Sequence, residues 1–269
     1  MSKYYKAKRV RNLYDPLSRK PYAISRAGIE LFQKCPRCFY LNKRLGTATP
    51  PAYPYSLNTA VDILLKKEFD LFRRLAVPHP TATYFGINCI PFAHKDLETW
   101  RNALRGGIKH LHGPTNLIIK DAVDDIWIDA KDQLHIVDYK STSKTGEVNI
   151  DADWQASYRH QVEVYQWLFR RNGFMVSDVA YFVYANADPG KPAFESKLEF
   201  NTKIIAYEGD DSWVEDTIIQ LHKCLLAPDL PEPAHDCDYC AYFNQRSIHE
   251  SSFRRSRIPR YSRSRDRRA

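Results

Sequence analysis

The run AVDDIWIDAKDQLHIVDYKST, residues 122–142, constrains the fold more than any other stretch. Apolar and polar residues alternate on both sides of Lys131 and Asp132. That is the period of half-buried strands, so the run predicts a hairpin turning at those two residues. Folding it there sets Ile128 against Leu134, Ile126 against Ile136 and Asp124 against Asp138. Two apolar layers are followed by two opposed carboxylates about 5 Å apart, where like charges destabilise a hairpin. A cation between them removes the repulsion. Lys140 lies two residues past Asp138 and so on the same face. Two acids and a lysine converging at one end of a hairpin predict a metal-dependent hydrolytic centre.

Carboxylate oxygens suit a hard cation, Mg2+ or Mn2+, which takes one or two protein carboxylates beside waters and substrate phosphates. Water bound to such an ion is a better nucleophile, and the ion offsets charge on a phosphoryl oxygen. Lys140 is placed to steer or deprotonate that water, or to offset negative charge itself. The residues alone leave these roles open, and the same triplet on an exposed strand would be inert.

The strongest helical pattern follows at Trp154–Arg170, with Trp154, Tyr158, Gln161, Val162, Tyr165, Leu168 and Phe169 on one face. Gln161 in mid-stripe is a buried amide that needs partners, and Tyr165 stands one turn on. Contact with the metal-site water network or a substrate phosphate would supply them. Further helices are predicted from a Ser25 cap through Cys35, over Leu57–Phe72 with Leu57, Val61, Leu64, Leu65, Phe69 and Phe72 inward, over His94–Leu104 and over Trp213–Leu225. Pro36 suits either a break or a new first turn. Strands are predicted near Asn116–Ile119, at Val179–Tyr184 and around Leu198–Tyr207, with residues 77–93 irregular and a proline loop at Gly46–Pro54. Strands and helices interleave around one sheet, which makes the class α/β in a single domain.

The set Asp124…Asp138-Tyr-Lys140…Gln161-x-x-x-Tyr165 resembles the PD-(D/E)xK nuclease superfamily. More narrowly it is similar to the RecB-like branch, with its CRISPR-associated and helicase-linked exonucleases, over residues 24–244. The resemblance implies a restriction-endonuclease-like central mixed sheet flanked by helices, and cleavage of DNA, single-stranded or at duplex ends. It further implies Asp124, Asp138 and the Tyr139 carbonyl as metal ligands, and Lys140, Gln161 and Tyr165 as catalytic residues. Relatives often carry a metal-binding histidine in a G-x-x-x-H pattern on an early helix. The stretch here is Asn58-Thr-Ala-Val-Asp62, which leaves Asp62 as an oxygen ligand in its place.

Six cysteines include two Cys-x-x-Cys pairs, Cys35/Cys38 and Cys237/Cys240. At this spacing, four thiolates suit tetrahedral zinc or an iron–sulfur cluster, as a clasp between the first helix and the C-terminal end. In cluster-containing relatives a cysteine in a C-P-R motif joins three C-terminal ones, and the resemblance therefore points to a 4Fe–4S cluster. Cys35-Pro-Arg and Cys237-x-x-Cys240 match that pattern, the third C-terminal cysteine is missing, and Cys38 makes up four. Cys89 and Cys224 lack partners at ligand spacing and are read as core residues.

The net charge of +8 is concentrated at the ends. Residues 254–269 carry eight arginines and one aspartate, and residues 1–20 carry seven lysines or arginines and Asp15, which leaves the body mildly acidic. The chain is therefore divided into a basic arm, 1–22, a nuclease-like domain, 23–248, and a disordered Arg/Ser-rich tail, 249–269. No signal-peptide pattern and no run of 18 apolar residues is present, so a cytoplasmic location is expected. With no GxxxxGK[ST] motif, a helicase or DNA-repair ATPase partner is a separate chain. Two other functions stand beside the nuclease: an inactive nuclease fold that binds nucleic acid or serves assembly, favoured by Asp62, and an RNA binder acting through the tail.

Overall fold

The computed structural model describes residues 5–50 and 55–256. The chain enters through a short strand, β1 (Tyr22–Ser25), and Ser25 caps the next helix by accepting the Gly28 N–H at 3.3 Å. That helix, α1 (Arg26–Lys34), stops at Cys35, and Pro36 opens α2 (Pro36–Lys43) from its first position, where a missing N–H costs nothing. A long helix, α3 (Ser56–Leu75), follows. Residues 77–93, expected to be irregular, instead form a turn of helix, α4 (Pro80–Tyr84), and a short edge strand, β2 (Cys89–Pro91). The helix expected at His94–Leu104 is the single turn α5 (Leu97–Trp100).

Then come β3 (Ile108–His112), β4 (Leu117–Asp121), β5 (Asp125–Asp129) and β6 (Leu134–Thr142). After a 3-10 turn at Asp153–Gln155 the chain forms α6 (Ala156–Arg171), β7 (Val179–Ala187), β8 (Phe200–Glu208), α7 (Ser212–Leu226) and α8 (Asp238–Ser256). Helix α8 reaches into the stretch expected to be tail, so 249–256 is helical. The remainder of that tail, 257–269, lies outside the described residues, as do 1–4 and part of the proline loop, 51–54.

Strands β2-β5-β6-β7-β8 form a mixed sheet in which only β6 and β7 run parallel. One sheet was expected, but a second of three strands, β1-β4-β3, stands beside it. Its outer strands are short, and β1 pairs across almost a hundred residues, which no local pattern announces. The five-stranded sheet is covered on both faces. Ile126, Leu134 and Ile136 pack under α6 and α7 with Val162, Leu168 and Phe169, while Trp127, Val137 and Tyr139 pack under α3 through Phe69. Only part of the expected α3 stripe is inward: Phe69 is buried, whereas Leu57 and Leu64 are exposed. Trp154 is exposed too, because α6 begins after it.

Candidate active site

The hairpin forms in the expected register, with Ile126 opposite Ile136 and Ile128 opposite Leu134. Asp132, at φ 60°, takes the left-handed turn position, and the Asp129 carboxylate accepts the N–H groups of Lys131 and Gln133, both at 2.9 Å. The period-two alternation then sends Asp138 and Lys140 toward α6 and Tyr139 toward α3.

Asp138 is completely buried, and among the described residues its Oδ1 accepts no hydrogen bond. Its partner is the Lys140 ammonium, which is ion-paired with Oδ2. A buried carboxylate so poorly satisfied is costly. Burial pushes its carboxyl up to about 6; Lys140 opposes the rise and Asp124 adds to it. Native Asp138 thus keeps its proton to higher pH than the ordinary 3.8. Between those values the native state binds more protons than the unfolded one, so stability falls as pH rises and levels off above about 6. In chelator, urea unfolding should show wild type losing stability between pH 4 and 7 relative to Asp138→Asn. Equal slopes for the two proteins would show that Asp138 is not the strained acid.

Asp124 precedes β5, and its Oδ2 accepts the Tyr139 N–H at 3.2 Å. Its Oδ1 meets Lys66 Nζ of α3 at 3.0 Å, and the same ammonium pairs with Asp62 at 2.9 Å. Burial raises the Asp62 carboxyl, with Asp124 adding and Lys66 opposing. Burial works against the Lys66 ammonium, yet the two carboxylates raise its pKa overall. Asn58, one turn before Asp62, donates to the Ser141 carbonyl at 2.9 Å and pins the start of α3 to β6.

On the other face, Lys140 Nζ is 3.4 Å from Gln161 Oε1 and 4.6 Å above the Tyr158 ring. Gln161 Nε2 donates to Tyr165 OH at 3.1 Å, and that hydroxyl donates to the Ala122 carbonyl at 2.7 Å. The amide nitrogen is thus turned to Tyr165 and the amide oxygen faces the lysine. Burial drives the Tyr165 phenol well above its usual range, which keeps it a donor. The six site residues expected from sequence, Asp62, Asp124, Asp138, Lys140, Gln161 and Tyr165, thus lie in one connected group at the hairpin's end. A cavity of about 360 Å³ lined by Asn58, Asp62, Asp124, Tyr139, Lys140 and Tyr158 opens there. The larger cavity, about 960 Å³ over β1 and β4, has one carboxylate, Asp15, and no ligand set.

Sequence reasoning missed two parts of this region. Lys66 was one, although Asp62 and Lys66 stand at the i,i+4 spacing that signals an ion pair. Asp125 was the other, since nothing adjacent in the sequence marks it as buried. It is fully buried beneath Arg73 and Arg101, meeting Arg101 at 2.7 Å and accepting the Tyr139 hydroxyl at 2.6 Å. Asp70 completes the cluster by meeting Arg101 at 2.9 Å.

Away from the cavity, the thiols of Cys35, Cys38, Cys237 and Cys240 converge, all within 4.8 Å of one another, close enough to hold a metal. Burial tends to raise the Cys35 thiol, but N–H groups of Cys38 and Ala234 and the neighbouring sulfurs bring it down to about 7. Cys89 is buried in the core and Cys224 packs at its edge, as expected.

A mixed sheet flanked by helices, with the acidic hairpin strand β6 at its centre, is a restriction-endonuclease-like architecture. The family model of the PD-(D/E)XK nuclease superfamily matches residues 107–245, from β3 to the start of α8, and the chain belongs to that superfamily. No curated protein matches the chain. Among the described residues no helix is long and apolar enough to cross a membrane.

Proposed function

We propose that this chain is a Mg2+- or Mn2+-dependent deoxyribonuclease of the RecB-like branch, with a four-cysteine clasp that is iron–sulfur or zinc by its thiolate chemistry. The observation that carries it is the cluster at the hairpin's end: Asp124 and Lys140 line one cavity, and Asp138, fully buried beside them, pairs through Oδ2 with the Lys140 ammonium and leaves Oδ1 without a hydrogen bond. Asp124, Asp138 and the Tyr139 carbonyl would hold the ion. That carbonyl points to the same side of β6 as its N–H, which faces Asp124. When bound, the ion supplies Lewis acidity and a more acidic water.

The chain's own groups do the rest. Lys140, held over Tyr158 and beside Gln161, presents its ammonium to the scissile phosphate, where negative charge develops. Gln161 and Tyr165 position that lysine rather than touch the phosphate. A DNA substrate, single-stranded or a duplex end, is supported by the larger cavity. Arg9, Lys20, Lys43 and Lys120 line it with Tyr14 and Tyr22, a mixture of charge and ring faces suited to a strand of nucleic acid. Strand β4 runs from Lys120 to within a residue of Ala122, which anchors Tyr165. A helicase or repair protein would act as a separate chain in the cytoplasm.

A second function, nucleic-acid binding without turnover, is favoured by Lys66, which sits between Asp62 and Asp124 as a resident cation. The test is incubation of the purified chain with Mn2+ and labelled single-stranded and duplex DNA, beside Lys140→Ala. Cleavage lost in the variant supports the nuclease; intact DNA with both proteins supports the binder. Lys66 also sets metal affinity. Removing a cation about 3 Å from two ligand carboxylates deepens the negative potential there. Lys66→Met should therefore reach half-maximal cleavage at about tenfold lower Mn2+. An unchanged metal titration would place the ion away from Asp124.

A further inference from the structure

The four-cysteine site is tighter than an iron–sulfur cluster allows. Cys38 Sγ lies 3.6 Å from Cys237 Sγ and 3.7 Å from Cys240 Sγ, and Cys35 Sγ lies 3.9 Å from Cys240 Sγ. Each of these contacts joins one Cys-x-x-Cys pair to the other. For one tetrahedral ion with metal–sulfur bonds of about 2.3 Å, the sulfurs stand about 3.8 Å apart. Around a 4Fe–4S cube, whose four irons each carry one outward thiolate, they stand roughly 6 Å apart. No sulfur pair here exceeds 4.8 Å. A two-iron cluster fails as well, because it separates its two cysteine pairs, whereas here the pairs interlock.

We propose that Cys35, Cys38, Cys237 and Cys240 hold a single Zn2+ ion, and that this ion is what docks α8 on the nuclease body. The chain before α8 is tied down without it. Arg37 Nε donates to the Pro231 carbonyl at 2.7 Å, Tyr40 OH to the Ala227 carbonyl at 3.0 Å and Arg44 to the Leu225 carbonyl at 2.7 Å. The Ala234 N–H then points at Cys35 Sγ from 3.5 Å. Beyond that point the tethers are the thiols. All of the described side chains of α8 are exposed except Cys240 and Ser247, and no apolar face of the helix is buried. With so little burial, a helix of this length gains its position from the ion rather than from packing. The inference does not depend on nuclease activity.

The full-length chain, purified anaerobically, should carry one zinc, no acid-labile sulfide and no visible absorption band. Exchange with Co2+ should give the intense blue-green spectrum of a tetrahedral thiolate site. Chelation should speed amide exchange and proteolysis within 238–256 at least tenfold while β5 and β6 stay protected. Cys240→Ser should lose the ion and free α8 in the same way, and Cys89→Ser should keep one zinc. If Cys240→Ser does not fold, the chelated wild type supplies the same comparison. Iron with sulfide, or a single iron, would overturn the zinc assignment. An α8 equally protected with and without zinc would overturn the docking role.

Discussion

Asp138→Asn and Lys140→Ala should each lower cleavage by about a thousandfold or more, with far-UV circular dichroism unchanged. Asparagine keeps the shape of Asp138 but removes the charge that would hold the cation. The change also removes the ion pair with Lys140, but that ammonium keeps Gln161 and Tyr158 as neighbours at the cavity, so the fold tolerates it. Lys140 is only partly buried, and its ammonium stands over the Tyr158 ring. Truncating it leaves Gln161 and Tyr165 bonded to each other and to Ala122 but strips buried Asp138 of its ion-pair partner, so the melting temperature should fall alongside the loss of charge at the phosphate. Initial rates at saturating Mn2+ with paired melting curves separate the two effects. Either variant retaining a tenth of wild-type cleavage would remove that residue from the reaction.

Asp125→Ala should have the largest effect on stability, a loss of about 3–5 kcal/mol in urea unfolding. Two guanidiniums converge on this one buried carboxylate, and both arginine side chains are themselves almost fully buried. Removing the acid strips both of their shared partner and orphans the Tyr139 hydroxyl, leaving Asp70 to compensate from the rim of the cluster. The site should suffer as well, since Tyr139 lies between Asp138 and Lys140 in β6. A loss below about 1 kcal/mol would mean that the arginines relax to solvent, as surface pairs do.

Neighbouring residues of one hairpin therefore differ in kind. Asp124 lines the cavity and Asp138 keeps one oxygen without a hydrogen bond, while Asp125 is saturated with partners. Sequence alone treats Asp124 and Asp125 as a pair of acids. Alternation assigns them to opposite faces, but only the arrival of Arg73 and Arg101 from α3 and the end of α5 shows which face is a charged core.

Several local features are legible in the sequence. The hairpin register, the Ser25 cap and the Gln161–Tyr165 pair each depend on residues within a few positions, through the period of a strand or a helix turn. The second sheet was not legible, because β1 is short and pairs across the chain with β4, the strand expected near Asn116–Ile119. The α3 stripe was partly misread for a related reason: its exposed leucines have the right spacing, but the sheet beneath offers cover only near Phe69.

The sequence by itself determined the superfamily, the acidic hairpin and which side chains share its face, since a two-residue period is written into consecutive residues. The tertiary structure decided three further things. Lys66 lies between Asp62 and Asp124, Asp125 is buried beneath two arginines, and the two Cys-x-x-Cys pairs interlock at single-ion spacing. Each depends on elements far apart in the chain meeting at a distance of a few ångströms, and electrostatic and metal-ligand energies change sharply over that range.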